Sequence, residues 1–263
     1  MEVDLLDLTP IEKIGNIYVK RDDKFELFNV KGGKVRSAYM LIQEGIAKGY
    51  KDFVTAGSRF SPQCEIISYL CENLGLRCHL FMPNGKDTSV INNINKNSLS
   101  KIYRTKVGYN SVICHHAKKF ASENKFFYIP FGMECKENIE ITKHQVLNIP
   151  KDVKRIVIPV GSGMSLISIL EGLNYYKMYD KEVIGVSVGK DITNNLKKYL
   201  PQYSNLFNNI EKVKFTIIKS TLSYDKMADE YIYNDLELDR IYEAKCLPYI
   251  KENDLLWVVG KRI

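Results

Sequence analysis

The chain has 263 residues, with 38 Lys and Arg against 31 Asp and Glu, a formal charge of +7 and 45% hydrophobic residues. That is an ordinary globular composition, with enough apolar side chains for one large core or two small ones. No apolar run approaches the ~20 residues of a membrane-spanning helix, and the opening Met1-Glu-Val-Asp-Leu-Leu-Asp is acidic where a secretory leader would be basic and then apolar.

The expectation is therefore a soluble, cytoplasmic chain. Its positive charge is mostly Lys spread along the sequence, which by itself marks no nucleic-acid surface. Lys51-Asp-Phe-Val-Thr-Ala-Gly reads as a strand running into a glycine turn. A helix then opens with Ser61 as N-cap and Pro62 at its first position, and stops near Leu74 before Gly75. Arg77-Cys-His-Leu-Phe-Met-Pro is a second strand. Residues 110–124 read as a helix, Lys125-Phe-Phe-Tyr-Ile-Pro as a strand, and 138–149 as helical. Arg155-Ile-Val-Ile-Pro-Val is a strand feeding Gly161-Ser-Gly-Met-Ser and a helix from about Leu166. Strands follow at Glu182-Val-Ile-Gly-Val-Ser-Val and Lys214-Phe-Thr-Ile-Ile, then a helix over 241–250 and the strand Leu255-Leu-Trp-Val-Val. Strands separated by helices predict an α/β protein with mainly parallel sheets covered on both faces.

Six cysteines, at 64, 71, 78, 114, 135 and 246, include no Cys-x-x-Cys pair. The pattern predicts free thiols in a reducing compartment and no metal site. No Pro/Gly/Ser linker divides the chain, so pattern alone separates one α/β block at about 40–133 from another beginning near 150.

Two segments carry chemistry. In Gly161-Ser-Gly-Met-Ser, glycines at a strand-to-helix turn let backbone N–H groups converge at a helix N-terminus, with Ser162 and Ser165 hydroxyls beside them. That arrangement suits a phosphate, and equally a tight turn with no ligand. It lacks the Gly-Lys-Ser/Thr of a Walker loop and the third glycine of the dinucleotide fingerprint. In Val30-Lys-Gly-Gly-Lys-Val-Arg, Lys34 follows two glycines and precedes a helical stretch. Held against close backbone, such an amine is desolvated and forms a Schiff base readily; in a solvated loop it is an ordinary Lys.

These pieces stand in a recognisable order. Leu8-Thr-Pro-Ile-Glu-Lys-Ile, Ile17-Tyr-Val-Lys-Arg-Asp-Asp and Gly32-Gly-Lys-Val-Arg resemble the opening of pyridoxal-phosphate enzymes of fold type II, the tryptophan-synthase-β fold. Val54-Thr-Ala-Gly-Ser-Arg-Phe-Ser, Ile129-Pro-Phe-Gly, Gly161-Ser-Gly-Met-Ser and Leu238-Asp-Arg-Ile-Tyr-Glu-Ala-Lys extend the resemblance over nearly the whole chain. The nearest branch is that of 1-aminocyclopropane-1-carboxylate (ACC) deaminase and D-cysteine desulfhydrase. The resemblance implies two three-layer α/β domains with the cofactor site in the cleft between them. It divides the chain into a large cofactor-binding domain, 1–36 with 134–263, and a small substrate domain, 37–133.

It also implies roles. Lys34 matches the lysine that binds pyridoxal 5'-phosphate covalently, and Gly161, Ser162, Gly163, Met164 and Ser165 match the phosphate cup. Ser61 matches a serine near the substrate carboxylate. Tyr242 and Glu243 match the Tyr-Glu pair whose acid meets the pyridine nitrogen and keeps the ring an electron sink. Taken alone, Tyr242 and Glu243 would read as a solvated helix face.

Three departures stand out. The family's Asn before the lysine is missing from Gly32-Gly33-Lys34, its Asn after the serine is Pro62, and no Thr/Ser-Gly-Gly occurs near the C-terminus. The expectation is retained cofactor binding with an altered small, amino-acid-like substrate, in a homodimer. Elimination, deamination and decarboxylation at the α-carbon all stay open. So do a phage-type enzyme remodelling an amino acid on a modified DNA base, and a binder without turnover.

Overall fold

The structure is a computed structural model that describes residues 4–106, 109–189, 192–199 and 213–260. The chain divides into two compact units, one running to Phe25 and resuming at Asn138, the other spanning Glu26–Glu137. The first boundary falls at 25/26, whereas the resemblance put it at 36/37. The short ribbon of Glu26–Leu27 with Val30–Lys31 and the helix Lys34–Ala47 pack with the helix Pro62–Asn73, so they go with the second unit. Lys34 goes with them.

Among the described residues, the first unit holds a six-stranded sheet. Its spatial order is Ile11–Ile14, Ile17–Arg21, Leu255–Val258, Arg155–Val160, Glu182–Ser187 and Lys214–Lys219. The first pair is antiparallel about a turn at Gly15, and every other ladder is parallel. Continuous apolar runs such as Ile156-Val-Ile-Pro-Val are buried throughout, as strands covered on both faces must be. The helix Met164–Tyr175 sends Leu166, Ile169, Leu170 and Leu173 into one core cluster with Trp257, while Val157, Val186 and Leu256 belong to another.

A polar stitch ties the N-terminal segment to this sheet. The wholly buried Trp257 donates its indole N–H to Asp22 Oδ2 at 3.2 Å, and Thr9 Oγ1 donates to Asp22 Oδ1 at 3.0 Å. Lys20, also fully buried, donates to Thr9 O at 2.9 Å and Asn148 Oδ1 at 2.8 Å, with its ammonium 5.7 Å from the indole centroid. Buried charges are tolerated only when hydrogen-bonded in this way.

The second unit contains a parallel sheet in the order Ser100–Thr105, Arg77–Pro83, Asp52–Ala56, Phe127–Tyr128. Pro62–Asn73 and Asn110–Asn124 are the longer helices that contact it. Among the described residues no helix is long and apolar enough to cross a membrane, no group of His, Cys, Asp or Glu could hold a metal ion, and all six cysteines are free thiols.

Several elements differ from the sequence reading. Lys125 does not begin a strand: it sits at φ 56°, ψ 44° as the left-handed cap of Asn110–Asn124, and the strand is confined to Phe127–Tyr128. The helix read over 138–149 is an α-helix at Lys136–Thr142 followed by a 3-10 turn at Lys143–Val146. The helix read over 241–250 is a 3-10 segment, Glu243–Tyr249, containing Pro248 and preceded by Tyr242 at φ −112°, ψ −87°. Proline removes a helical donor, and Tyr242 leaves the helical region outright.

Gly172 has a packing reason. A Cβ there would lie 2.2 Å from the Lys143 carbonyl oxygen and 3.0 Å from Val146 Cγ2. Gly172→Ala therefore forces backbone apart, and this outweighs the gain in helix propensity of about 1 kcal/mol. The variant is expected to lose about 1–3 kcal/mol net, seen as a lower urea midpoint at unchanged slope. A variant as stable as the parent would contradict this packing.

Candidate active site

The turn after Arg155–Val160 is built by two glycines. Gly163 sits at φ 89°, which a side chain resists, and a Cβ there would lie 3.0 Å from Ile192 Cδ1. A Cβ on Gly161 would lie 3.1 Å from Tyr242 Cε1, so the tyrosine ring occupies the space the missing side chain leaves. Helix Met164–Tyr175 starts here with no side chain capping its N–H groups, although the first turn of any helix leaves such donors without carbonyl partners. Asn195 braces the turn by donating from Nδ2 to Ser162 O at 2.7 Å, and the half-buried Ser165 hydroxyl has no hydrogen-bond partner among the described residues.

Tyr242 and Glu243 reach this turn through Asp239. Its Oδ1 accepts from the N–H groups of Ile241 at 2.8 Å and Tyr242 at 3.0 Å, which turns the chain sharply. Tyr242 then meets Tyr224, with hydroxyls 3.1 Å apart and rings edge to face. Glu243 is fully buried, not a solvated helix residue. Its Oε1 accepts from the N–H groups of Val259 at 2.8 Å and Gly260 at 3.4 Å, just past the strand Leu255–Val258. Its Oε2 is buried with no hydrogen-bond partner among the described residues.

Burial, and then the nearby Asp239 charge, push the Glu243 carboxyl up to about 8, although the N–H groups of Val259 and Gly260 pull it the other way. At neutral pH it is therefore mostly a neutral acid with one proton to share. An unpartnered buried oxygen costs about 1–3 kcal/mol unless something completes it. A heterocyclic nitrogen would, and a glycine turn that opens a helix suits a phosphate. These residues fit pyridoxal phosphate.

In the other unit, Lys34 opens the helix Lys34–Ala47 directly after Gly32, at φ 119°, and Gly33. Desolvation lowers the pKa of its amine from the ordinary Lys value, while the Glu134 charge acts in the opposite sense. Lys31, by contrast, is exposed and ion-paired with Glu26 at 3.3 Å. Ser61 caps Pro62–Asn73 by accepting from Gln63 N–H at 3.4 Å. The Gln63 amide nitrogen, one residue past the position of the missing Asn, is already engaged: it donates to Thr55 Oγ1 at 3.0 Å and Pro130 O at 2.8 Å.

The first unit thus brings together Gly161–Ser165, Tyr242 and Glu243, and the second carries Lys34 and Ser61. Sequence reasoning missed Tyr224, Asn195 and Asp239. Asp239 stands inside a motif already noted, four residues before Glu243; the other two lie in stretches without pattern.

The sequence model of the pyridoxal-phosphate dependent enzymes matches residues 3–211, and the chain belongs to that family. The cofactor of that family is pyridoxal phosphate. Among individual proteins, it is 26% identical over 196 residues to the O-seryl-dTMP PLP-dependent decarboxylase of Salmonella phage ViI, a match covering 63% of this chain and 46% of that protein. The chain thus spans about half the length of the phage relative. It is also 26% identical over 257 residues to a Thermotoga maritima protein provisionally assigned as an ACC deaminase, covering 88% and 78% of the two chains. The fold is that of a crystallised ACC deaminase homologue, with a TM-score of 0.81 at 20% identity over 98% of this chain and 91% of that one. Diaminopropionate ammonia lyase of Escherichia coli shares it too, with a TM-score of 0.69 at 11% identity over 97% and 84%.

The Glu243 environment has a pH signature in the cofactor-free protein. Because its folded-state value lies above that of a free carboxyl, its contribution to stability is complete below about pH 4.5 and is lost as pH rises through about 8. Over that window the cofactor-free protein should lose roughly 3–5 kcal/mol relative to Glu243→Gln, which cannot titrate. Urea unfolding of both proteins across the window checks this, and parallel pH profiles would contradict it.

Proposed function

We propose that the enzyme breaks a bond at the α-carbon of a small, amino-acid-like substrate, by elimination, deamination or decarboxylation. The observation that carries the reading is the buried Glu243 carboxyl, one oxygen held by backbone and the other without a hydrogen-bond partner among the described residues, beside a glycine turn walled by Tyr242. Bound here, pyridoxal phosphate supplies an electron sink for the pair left on the α-carbon. Gly161, Ser162, Gly163, Met164 and Ser165 hold its phosphate through backbone N–H groups and hydroxyls. Glu243 shares a proton with the ring nitrogen, a charge-assisted hydrogen bond once the proton has moved.

Lys34 would hold the cofactor through its amine, and the same amine, when free, would carry the substrate's α-proton. Its lowered pKa supports this role, since only the neutral amine adds to a carbonyl and accepts a proton. The Ser61 hydroxyl accepts one backbone N–H and keeps its own proton to donate to substrate. Tyr242, with Tyr224 behind it, positions substrate or relays a proton. Pro62 offers no amide to the cofactor's phenolic oxygen, and Gln63 is engaged elsewhere, which favours a reaction unlike that of the deaminase branch. Six free thiols fit a reducing compartment.

A second reading is favoured by one observation, the match to the phage decarboxylase. On this reading the amino acid is attached to a nucleotide, and α-decarboxylation is the reaction.

Borohydride reduction of the loaded protein followed by peptide mapping should label Lys34. A label at Lys31, or none, would overturn the assignment. Glu243→Gln should retain that label yet slow turnover by at least ~10²-fold, about 2.7 kcal/mol of transition-state stabilisation. Unchanged turnover would remove Glu243 from the chemistry.

A further inference from the structure

The parallel sheet of the second unit ends in loops rich in cations. Arg59 follows the strand Asp52–Ala56, Lys86 follows Arg77–Pro83, and Arg104 and Lys106 lie at the end of Ser100–Thr105. Asp87, paired with Arg104 at 2.6 Å, is the one carboxylate these loops offer. Lys86 and Lys106 are exposed and have no ion-pair partner among the described residues.

Arg59 is half-buried, held in place and left without a counter-charge. Its Nη1 donates to Lys86 O at 2.7 Å, and Thr88 Oγ1 donates to the Arg59 carbonyl at 2.6 Å. Its guanidinium lies where Gly85 has no side chain: at φ +150°, a Cβ on Gly85 would sit 2.5 Å from Arg59 Cζ. The Phe60 ring covers it at 5.4 Å. Among the described residues no carboxylate reaches it, so its remaining N–H donors are available. A planar donor fork fixed in this way matches a phosphate, and its side-chain entropy is already largely spent.

The extent of the rim argues against a lone carboxylate as its ligand. Arg59, Lys86 and Lys106 follow three adjacent strands, a span of about 10 Å at the usual strand spacing. That suits successive phosphates better than one small anion. Tyr109, 76% exposed, adds an aromatic ring of the kind that stacks bases. The C-terminal edge of a parallel sheet is also where α/β folds take their ligands.

We propose that this rim binds the phosphodiester groups of a DNA-borne substrate, with Arg59 as the anchoring contact. The inference rests on the second reading for the identity of the substrate and is independent of the assignments at Lys34 and Glu243.

The test uses the full chain and a fluorescein-labelled single-stranded oligothymidylate, followed by anisotropy over a salt series. The parent should bind with an affinity that falls as salt rises. Arg59→Gln should weaken binding at least ~10-fold and reduce the slope of log affinity against log salt by about 0.7. Lys86→Gln with Lys106→Gln, both exposed and so without effect on folding, should weaken it similarly. Lys118→Gln with Lys119→Gln, on the helix Asn110–Asn124, should leave it unchanged. Borohydride labelling of the same proteins separates the two claims. Rim variants that lose the oligonucleotide but keep the Lys34 label support the rim, as does a parent that binds the oligonucleotide without labelling. Rim variants that bind like the parent would overturn the proposal. So would competition by inorganic phosphate as effective as that of unlabelled oligonucleotide at equal phosphate concentration.

Discussion

A carboxyl group buried in a sheet protein needs a reason, and Glu243 is the group around which the first unit is arranged. Its side chain is inaccessible, one oxygen takes two backbone N–H groups beyond the strand Leu255–Val258, and the other has no protein partner among the described residues. Leaving it so costs free energy in every folded molecule. Several neighbouring features follow from holding it there. Asp239 turns the chain before it, Tyr242 departs from helical geometry beside it, and Gly161 gives up a side chain so that the Tyr242 ring can pass. The strand that supplies its hydrogen bonds is fixed in turn by Trp257 and the Asp22–Thr9–Lys20 network. Natural sequences retain such local costs where function needs them.

Much of the fold could be read from the sequence because buried parallel strands announce themselves as apolar runs. Ile156-Val-Ile-Pro-Val, Phe53-Val-Thr-Ala and Leu255-Leu-Trp-Val are strands in the structure for the same reason that they read as strands. Periodicity failed where cap geometry decided. Lys125 takes the left-handed conformation that ends a helix, and no pattern of apolar residues encodes that. It failed also at 241–250, where an aspartate side chain redirects the backbone and Pro248 forbids an α-helix.

The candidate site was legible in a different way. Glycines at Gly161 and Gly163 signal a strained turn on their own, and the structure gives each a physical reason. Glu243 carried no such signal; the order of motifs singled it out, and only its burial distinguishes it from a surface acid. Tyr224 and Asn195 come to the turn from segments with no helical or strand periodicity that could have marked them. Lys34 lay between these extremes. Its position after two glycines suggested a desolvated amine, and the contrast with the exposed, ion-paired Lys31 gives that suggestion a structural basis.

On the proposed function, Glu243 sets the protonation of the cofactor ring. The most direct measurement is the nitrogen-15 chemical shift of ring-labelled pyridoxal phosphate bound to the parent and to Glu243→Gln, at neutral pH. The ring nitrogen should be protonated in the parent and unprotonated in the variant, because an amide cannot balance the pyridinium charge. The same shift in both proteins would contradict it.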